Sequence, residues 1–562
     1  MKFPMSFVST VRLRLAVALA LAGSAVHAAA LAPAPSLVVV ITIDQFRADY
    51  LARFGKHFVP GGLKLLMEQG AQFTDCRYEH AVTKTASGHA TVLTGVHANI
   101  HGIIANDWID RDSLKRVNCV DDDSVQIVGL AEDRSGVRMP GRKPGLGASA
   151  RRLLATTVGD EFKLARGPGP KVIGVSSKDR SAILLAGKFA DAAYWMDKGR
   201  IVSSSAYMKD VPAWVRAFND ANRVDAFFGQ TWDRLLPAPD YDRLQGPDAA
   251  AGEGIESGMG ATFPKRVNGG ADTITAAFYD AFEASPFKNE VLADFAKLVV
   301  ENENLGRRGV TDILCLSFST NDSIGHIYGP DSHEVMDITL RTDRLLADFF
   351  AFLEARVGLA NCTIVLTADH GAPSLPERVK ALNPATSAGR IDPARVLKTS
   401  EAALDGAFGA LGEGRRWLVV DASQLVLARE NLREKNIEPA AAAKVARAAL
   451  LTLEFVDAAY TRNELEAGAV AGPFAAATLL SFNRERSGDV YYRSKPFWVE
   501  RKTGTNHGTP YAYDTQVPLL WLGRGVKPGV YSQPVSVADI APTLARILGV
   551  LPPPAATGRD LF

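Results

Sequence analysis

The stretch Leu37-Val38-Val39-Val40-Ile41-Thr42-Ile43-Asp44 is an unbroken, mostly β-branched run that ends on a carboxylate. A run this short, with no polar alternation, suits a strand covered on both faces, as in a parallel sheet. The same shape recurs at 171–175 before Ser176, at 313–318 before Ser319 and at 363–366 before Asp369. Helical periodicity separates these runs at 61–69, 289–300 and 334–357. The alternation predicts an α/β fold: a largely parallel central sheet flanked by helices on both faces. In such sheets ligands bind beyond the carboxyl ends of the strands, and there the polar residues of this chain gather. Two excursions, at about 182–286 and 374–500, are expected as cap insertions into one catalytic domain spanning 31–562. In the second, 438–451 reads as an alanine-rich helix and 490–499 as strand-like. A strand at 517–522 and a helix at 538–548 close the chain.

Residues 1–14 carry Lys2, Arg12 and Arg14 without an acidic residue, followed by apolar 15–22 and small residues around 24–30. That is the pattern of a secretory signal peptide, with cleavage expected after Ala28 or Ala30 and a periplasmic or secreted destination. The apolar run falls well short of the roughly 20 residues of a membrane span, and no span is expected in the mature chain. Loss of those three cations leaves 60 Lys+Arg from the original 63, against 62 Asp+Glu, a net charge of about −2. Such a balance suggests no nucleic-acid-binding surface. Cys76, Cys119, Cys315 and Cys362 would meet an oxidising compartment, where disulfides and buried thiols both stay open.

Asp44, Asp322, His326, Asp369, His370 and His507 form an oxygen and nitrogen donor set suited to zinc. Asp322 and His326, at i and i+4, share one face of a helical turn. Gly371 offers a sharp turn after Asp369-His370, and Gly504 and Gly508 give the Thr505-Asn506-His507 segment backbone freedom. Singly, an Asp at a strand end reads as a helix cap and a lone His as a packing residue. Jointly, six such residues at sheet ends or glycine turns point to metal. Thr85, in Lys84-Thr85-Ala86-Ser87-Gly88-His89, stands where a helix begins and where free N–H groups favour a phosphate. On its own it reads as an N-cap. His97 and His101 read as packing residues, since no carboxylate stands near them and Gly95 and Gly102 interrupt a helix; His89 reads as a residue that holds its turn.

In order, Asp44, the 83–95 segment, His101-Gly102-Ile103-Ile104-Ala105-Asn106, Asp322-x-x-x-His326, Asp369-His370-Gly371 and Thr505-Asn506-His507-Gly508-Thr509 resemble the alkaline phosphatase superfamily. Asp539-Ile540-Ala541-Pro542-Thr543 and Gly558-Arg559-Asp560-Leu561 resemble its closing pattern. The closest branch is that of bacterial threonine-nucleophile alkaline phosphatases, related to nucleotide pyrophosphatase/phosphodiesterases. The resemblance implies two Zn²⁺, one held by Asp322, His326 and His507 and the other by Asp44, Asp369, His370 and the Thr85 oxygen. It implies Thr85 as a covalent nucleophile, with Asn106 and the Ala86 N–H donating to phosphate. Ser177-Lys178-Asp179-Arg180 fits the Lys-x-Arg pair that marks monoesterases of this branch. With two Zn²⁺ balanced by three aspartates and a Thr85 alkoxide, Lys178 and Arg180 match a monoester dianion and overmatch a diester.

The expected substrates are therefore small phosphate monoesters, with a phosphodiesterase or nucleotide pyrophosphatase as the alternative. A sulfatase would need a Cys or Ser in a Cys/Ser-x-Pro-x-Arg context, which Thr85 does not provide. A cofactor-independent phosphoglycerate mutase would use serine and carry no export signal. A catalytically dead binding protein would not be expected to keep the full ligand set.

Overall fold

The computed structural model describes residues 34–130, 147–255 and 258–562; the expected signal segment 1–30 lies outside them. The run quoted above is β1, Leu37–Ile43, buried along its whole length. It pairs in parallel on one side with β6 (Asp312–Phe318) and on the other with β7 (Cys362–Thr367), so that Val40 lies opposite both Cys315 and Val365. Outward from β6 come β3 (Val172–Ser176) and β4 (Ala192–Asp197), both parallel, then antiparallel β5 (Arg200–Ser204). Outward from β7 come antiparallel β8 (Gln516–Gly523) and β2 (Ala71–Arg77). Short strands extend both edges, giving eleven among the described residues. The mixed α/β architecture is the predicted one, with the antiparallel β5 and β8 interrupting the parallel order. Because β1 is sandwiched, Asp44 emerges between the ends of the strands that lead to Asp322 and to Asp369.

The expected start of the first cap segment near 182 is corrected. Residues 182–204 complete the central sheet: Ala182 lies in the helix Asp179–Ala186, and β4 and β5 form a hairpin closed by Lys198 and Gly199, both at positive φ. Two left-handed residues are what a tight hairpin turn demands. Tyr194 and Trp195, in β4, are 1% and 3% exposed and belong to the core, Tyr194 packing edge-on to Phe295. Phe227 stacks on Phe287, and Phe228 meets Phe278 edge-on.

Within 374–500 a second, four-stranded antiparallel sheet runs in the order Leu418–Asp421, Gln424–Leu427, Val490–Ser494, Val456–Thr461. The helices Pro393–Phe408 and Pro439–Leu450 share its apolar cluster, which holds Val396, Leu404, Trp417, Leu450 and Phe455 apart from the main core. All four cysteines are buried and none is in a disulfide. Burial pushes the Cys315 and Cys362 thiols up to about 12, which keeps them protonated and unreactive.

Candidate active site

The six expected metal ligands converge from four places. Asp44 follows β1, and its N–H donates to Phe318 O at 2.9 Å. Asp369 and His370 follow β7. Asp322 and His326 lie one turn apart on the helix Thr320–Tyr328. His507 arrives on a loop whose Gly504 (φ +65°) and Gly508 (φ +123°) adopt backbone that other residues rarely take. A Cβ on Gly504 would meet His326 O at 1.9 Å, so this turn also needs glycine for space. Asp44, Asp369 and His370 are fully buried, whereas the His326 side chain stays 23% exposed.

Two clusters of donor atoms result: Asp44, Asp369 and His370, and Asp322, His370 and His507. His370 Nε2 lies 3.4 Å from Asp44 Oδ1 and 3.4 Å from Asp369 Oδ2. His326 Nε2 and His507 Nε2 lie 3.2 and 3.7 Å from Asp322 Oδ1. The resemblance separates His370 from His507; here their rings stack with centroids 3.5 Å apart, and His370 adjoins both clusters. Each imidazole is anchored through Nδ1 to a backbone carbonyl: His326 to Thr505 O (2.8 Å), His370 to Gly371 O (2.9 Å) and His507 to Thr83 O (2.7 Å). A carbonyl only accepts, so Nδ1 carries the proton and Nε2 presents a lone pair, the arrangement that metal-binding histidines use. Asp44 Oδ1 and Asp369 Oδ2 are buried without a hydrogen-bond donor. Burial and the neighbouring Asp44 push the Asp369 carboxyl well up. Burial opposes ionisation of Asp322 too, but His326 and Lys178 outweigh it and hold that carboxyl well below its usual range. Orphaned carboxylate oxygens, aimed imidazole nitrogens and concentrated negative charge fit a pair of divalent cations.

Thr85 opens the helix Thr85–Thr94 as its first helical residue; the cap position belongs to Lys84, whose N–H donates to Ser87 Oγ at 3.2 Å. Thr85 Oγ1 is 3.5 Å from His370 Nε2, and the side chain is buried. Lys84 Nζ donates to His507 O, tying the turn before Thr85 to the loop that carries His507. His89 is held as expected: its Nδ1 lies 2.8 Å from Thr85 O and 3.2 Å from Asp369 Oδ2, and burial pushes its pKa down to about 4. The Ala86 N–H, expected to face phosphate, donates to Asn106 Oδ1 at 2.9 Å instead. That bond turns the Asn106 amide and leaves its own N–H donors for a ligand oxygen.

Lys178 is not a solvated turn residue. Its Nζ donates to Asp44 Oδ2 at 2.7 Å and to Asp322 Oδ2 at 2.5 Å, bridging carboxylates of the two clusters. Burial disfavours its charge, yet Asp322 and Asp44 prevail and its pKa is raised, so the ammonium persists through the alkaline range. Arg180 stands two residues on, its Nε buried without an acceptor.

His97, where no carboxylate partner is expected from sequence, has one: Glu79 Oε2 at 3.1 Å, while its Nδ1 lies 3.2 Å from that of His80. His101 accepts the Ile103 N–H, which keeps it a packing residue. Two residues were not foreseen as part of the site. Gln45 reaches both Asp322 and Asp369, and Gly88 lies so close to Asp369 that a Cβ would meet its carbonyl at 2.3 Å. Gly88→Ala is expected to cost about 1–3 kcal/mol of stability through overpacking and to lower metal content by displacing Asp369. Thermal unfolding alongside elemental analysis checks this.

A helix N-terminus at Thr85, two cation-ready clusters and the Lys178 ammonium between them define a phosphoryl-transfer centre of the alkaline phosphatase type. The family model described as type I phosphodiesterase / nucleotide pyrophosphatase matches residues 38–509, and the chain belongs to that family. A protein named calcium-transporting ATPase, from Myroides odoratus, is 34% identical over 532 residues, covering 92% of each chain. Alkaline phosphatase PafA of Elizabethkingia meningoseptica is 32% identical over 537 residues, covering 93% of each. The crystal structure of wild-type PafA superposes with a TM-score of 0.85, covering 94% of this chain and 98% of that one at 32% identity. A PafA variant altered at one threonine, one asparagine, one lysine and one arginine gives the same TM-score. Among the described residues no helix is long and apolar enough to cross a membrane.

Proposed function

We propose that this protein is an exported, zinc-dependent alkaline phosphatase that hydrolyses small phosphate monoesters through a phosphothreonine at Thr85. The observation that carries the reading is the bridging position of Lys178 between the carboxylates of the two cation-ready clusters, where a phosphate spanning both would lie. The altered threonine and asparagine of the PafA variant stand 21 positions apart, as Thr85 and Asn106 do, and its lysine and arginine two apart, as Lys178 and Arg180 do. Export rests on the pattern of residues 1–30. The phosphodiesterase alternative draws on the family's description; a second cation beside Lys178 favours the doubly charged monoester.

Asp44, Asp369 and His370 would hold one Zn²⁺, with Thr85 as a further ligand, and Asp322, His326 and His507 the other. When bound, such cations act as Lewis acids that lower the pKa of a hydroxyl and stabilise charge on a departing oxygen. Thr85, fixed at the helix start, releases its hydroxyl proton to solvent and attacks phosphorus in line; the Thr85 O–P bond forms as the ester P–O bond breaks, and the departing alkoxide takes a proton from water and leaves as the alcohol. Water attacks the phosphothreonine from the opposite side, restoring Thr85 and releasing phosphate. Asn106, Lys178 and Arg180 donate to the equatorial oxygens, whose charge they stabilise in both steps. Acid quenching during turnover of a monoester is expected to leave one phosphate on the peptide that contains Thr85, read by mass spectrometry. Absence of that adduct under a rate-limiting second step, or its appearance on Ser87, would overturn the assignment.

A further inference from the structure

The residue after Asp44 has an unusual conformation and two unusual bonds. Gln45 is 3% exposed and sits at φ +59°, a left-handed backbone that costs a non-glycine residue about 1 kcal/mol or more. That conformation reverses the chain at the end of β1, the strand lying between β6 and β7. The backbone N–H thereby donates to Asp369 Oδ1, beyond β7, at 3.1 Å. The side-chain Nε2 donates to Asp322 Oδ1, beyond β6, at 2.7 Å. One residue, itself joined to Asp44, thus grips a carboxylate of each metal cluster. The seat of its amide is equally specific. A Cβ on Gly325, one residue before His326, would lie 1.9 Å from Gln45 Oε1, so only glycine leaves room for the amide against the ligand-bearing helix.

We infer that Gln45 is a positioning residue that sets the spacing of the two cation sites, with Gly325 as the notch that receives it. The inference rests on the two-metal reading above. An amide suits this role because it donates a hydrogen bond to a ligand carboxylate without adding charge or competing for the metal. The strained backbone is retained because relaxing it would release Asp369, while shortening the side chain would release Asp322. Loss of such supporting bonds typically weakens metal binding 10–100-fold.

The test uses the full-length protein dialysed against buffers of fixed free Zn²⁺, with bound metal per chain measured by atomic emission. Wild type is expected to hold two Zn²⁺. Gln45→Met, which keeps the volume and removes the donor, is expected to need about 10–100-fold more free Zn²⁺ to reach two. Its kcat on a phosphate monoester is expected to fall at limiting Zn²⁺ and to recover at saturating Zn²⁺, which a general folding defect would not do. Gly325→Ala, if it folds, is expected to behave alike. Zinc binding by Gln45→Met that coincides with wild type would overturn the inference and leave the two-metal reading intact. A wild type that never binds a second Zn²⁺ would overturn both.

Discussion

Thr85→Ala is expected to lower kcat on an aryl phosphate by roughly a thousandfold or more while leaving Zn²⁺ content and fold close to wild type. The side chain is buried at the first position of a helix, where alanine is well tolerated, and its Oγ1 lies 3.5 Å from His370 Nε2. The change therefore removes the proposed attacking oxygen, and with it one ligand of the first cation, with little effect on packing. The clusters around it keep Asp44, Asp369, His370, Asp322, His326 and His507, so metal should stay bound. Thr85→Ser keeps the hydroxyl and is expected to keep measurable turnover. Steady-state kinetics with elemental analysis and circular dichroism on the same samples checks all three statements. Substantial turnover by Thr85→Ala would move the nucleophile elsewhere, with water the first candidate.

The second large effect belongs to Lys178 and Arg180. Each donor aimed at charge that develops in a buried transition state is worth about 10²–10³ in rate. Removing both is expected to lower kcat/KM for a monoester by at least about 10³, and for a methyl diester, which carries one charge fewer, by much less. Lys178 also neutralises Asp44 and Asp322 across the two clusters. The double variant must therefore be assayed at saturating Zn²⁺, so that a change in metal affinity is not read as lost transition-state binding.

What the sequence disclosed follows from which interactions are local. The strands that lead to Asp44, Asp322 and Asp369 are readable because a strand buried on both faces needs an unbroken apolar run, and Leu37–Ile43 is buried throughout. Asp322 and His326 are readable because one helical turn joins them. The end of the central sheet was not: Ala192–Asp197 falls in the stretch 182–286, whose Gly, Asp, Pro and aromatic content reads as inserted sequence until the pairing of this strand with Val172–Ser176 is known. Gln45 was invisible for a different reason. Its partner Asp322 is 277 positions away, and its left-handed backbone has no sequence signature when glycine and asparagine are absent. The Ala86 N–H was misassigned because only the folded chain brings Asn106 Oδ1, 20 positions on, to it. The partner of His97 escaped because Glu79, 18 positions away, lies on another segment.

The most direct test of the monoester assignment is the ratio of kcat/KM for an aryl phosphate monoester to that for its methyl diester, measured on zinc-loaded wild type and on Lys178→Ala/Arg180→Ala. The account predicts a strong monoester preference in the wild type that collapses in the double variant. A diester preference unaffected by the two substitutions would contradict it.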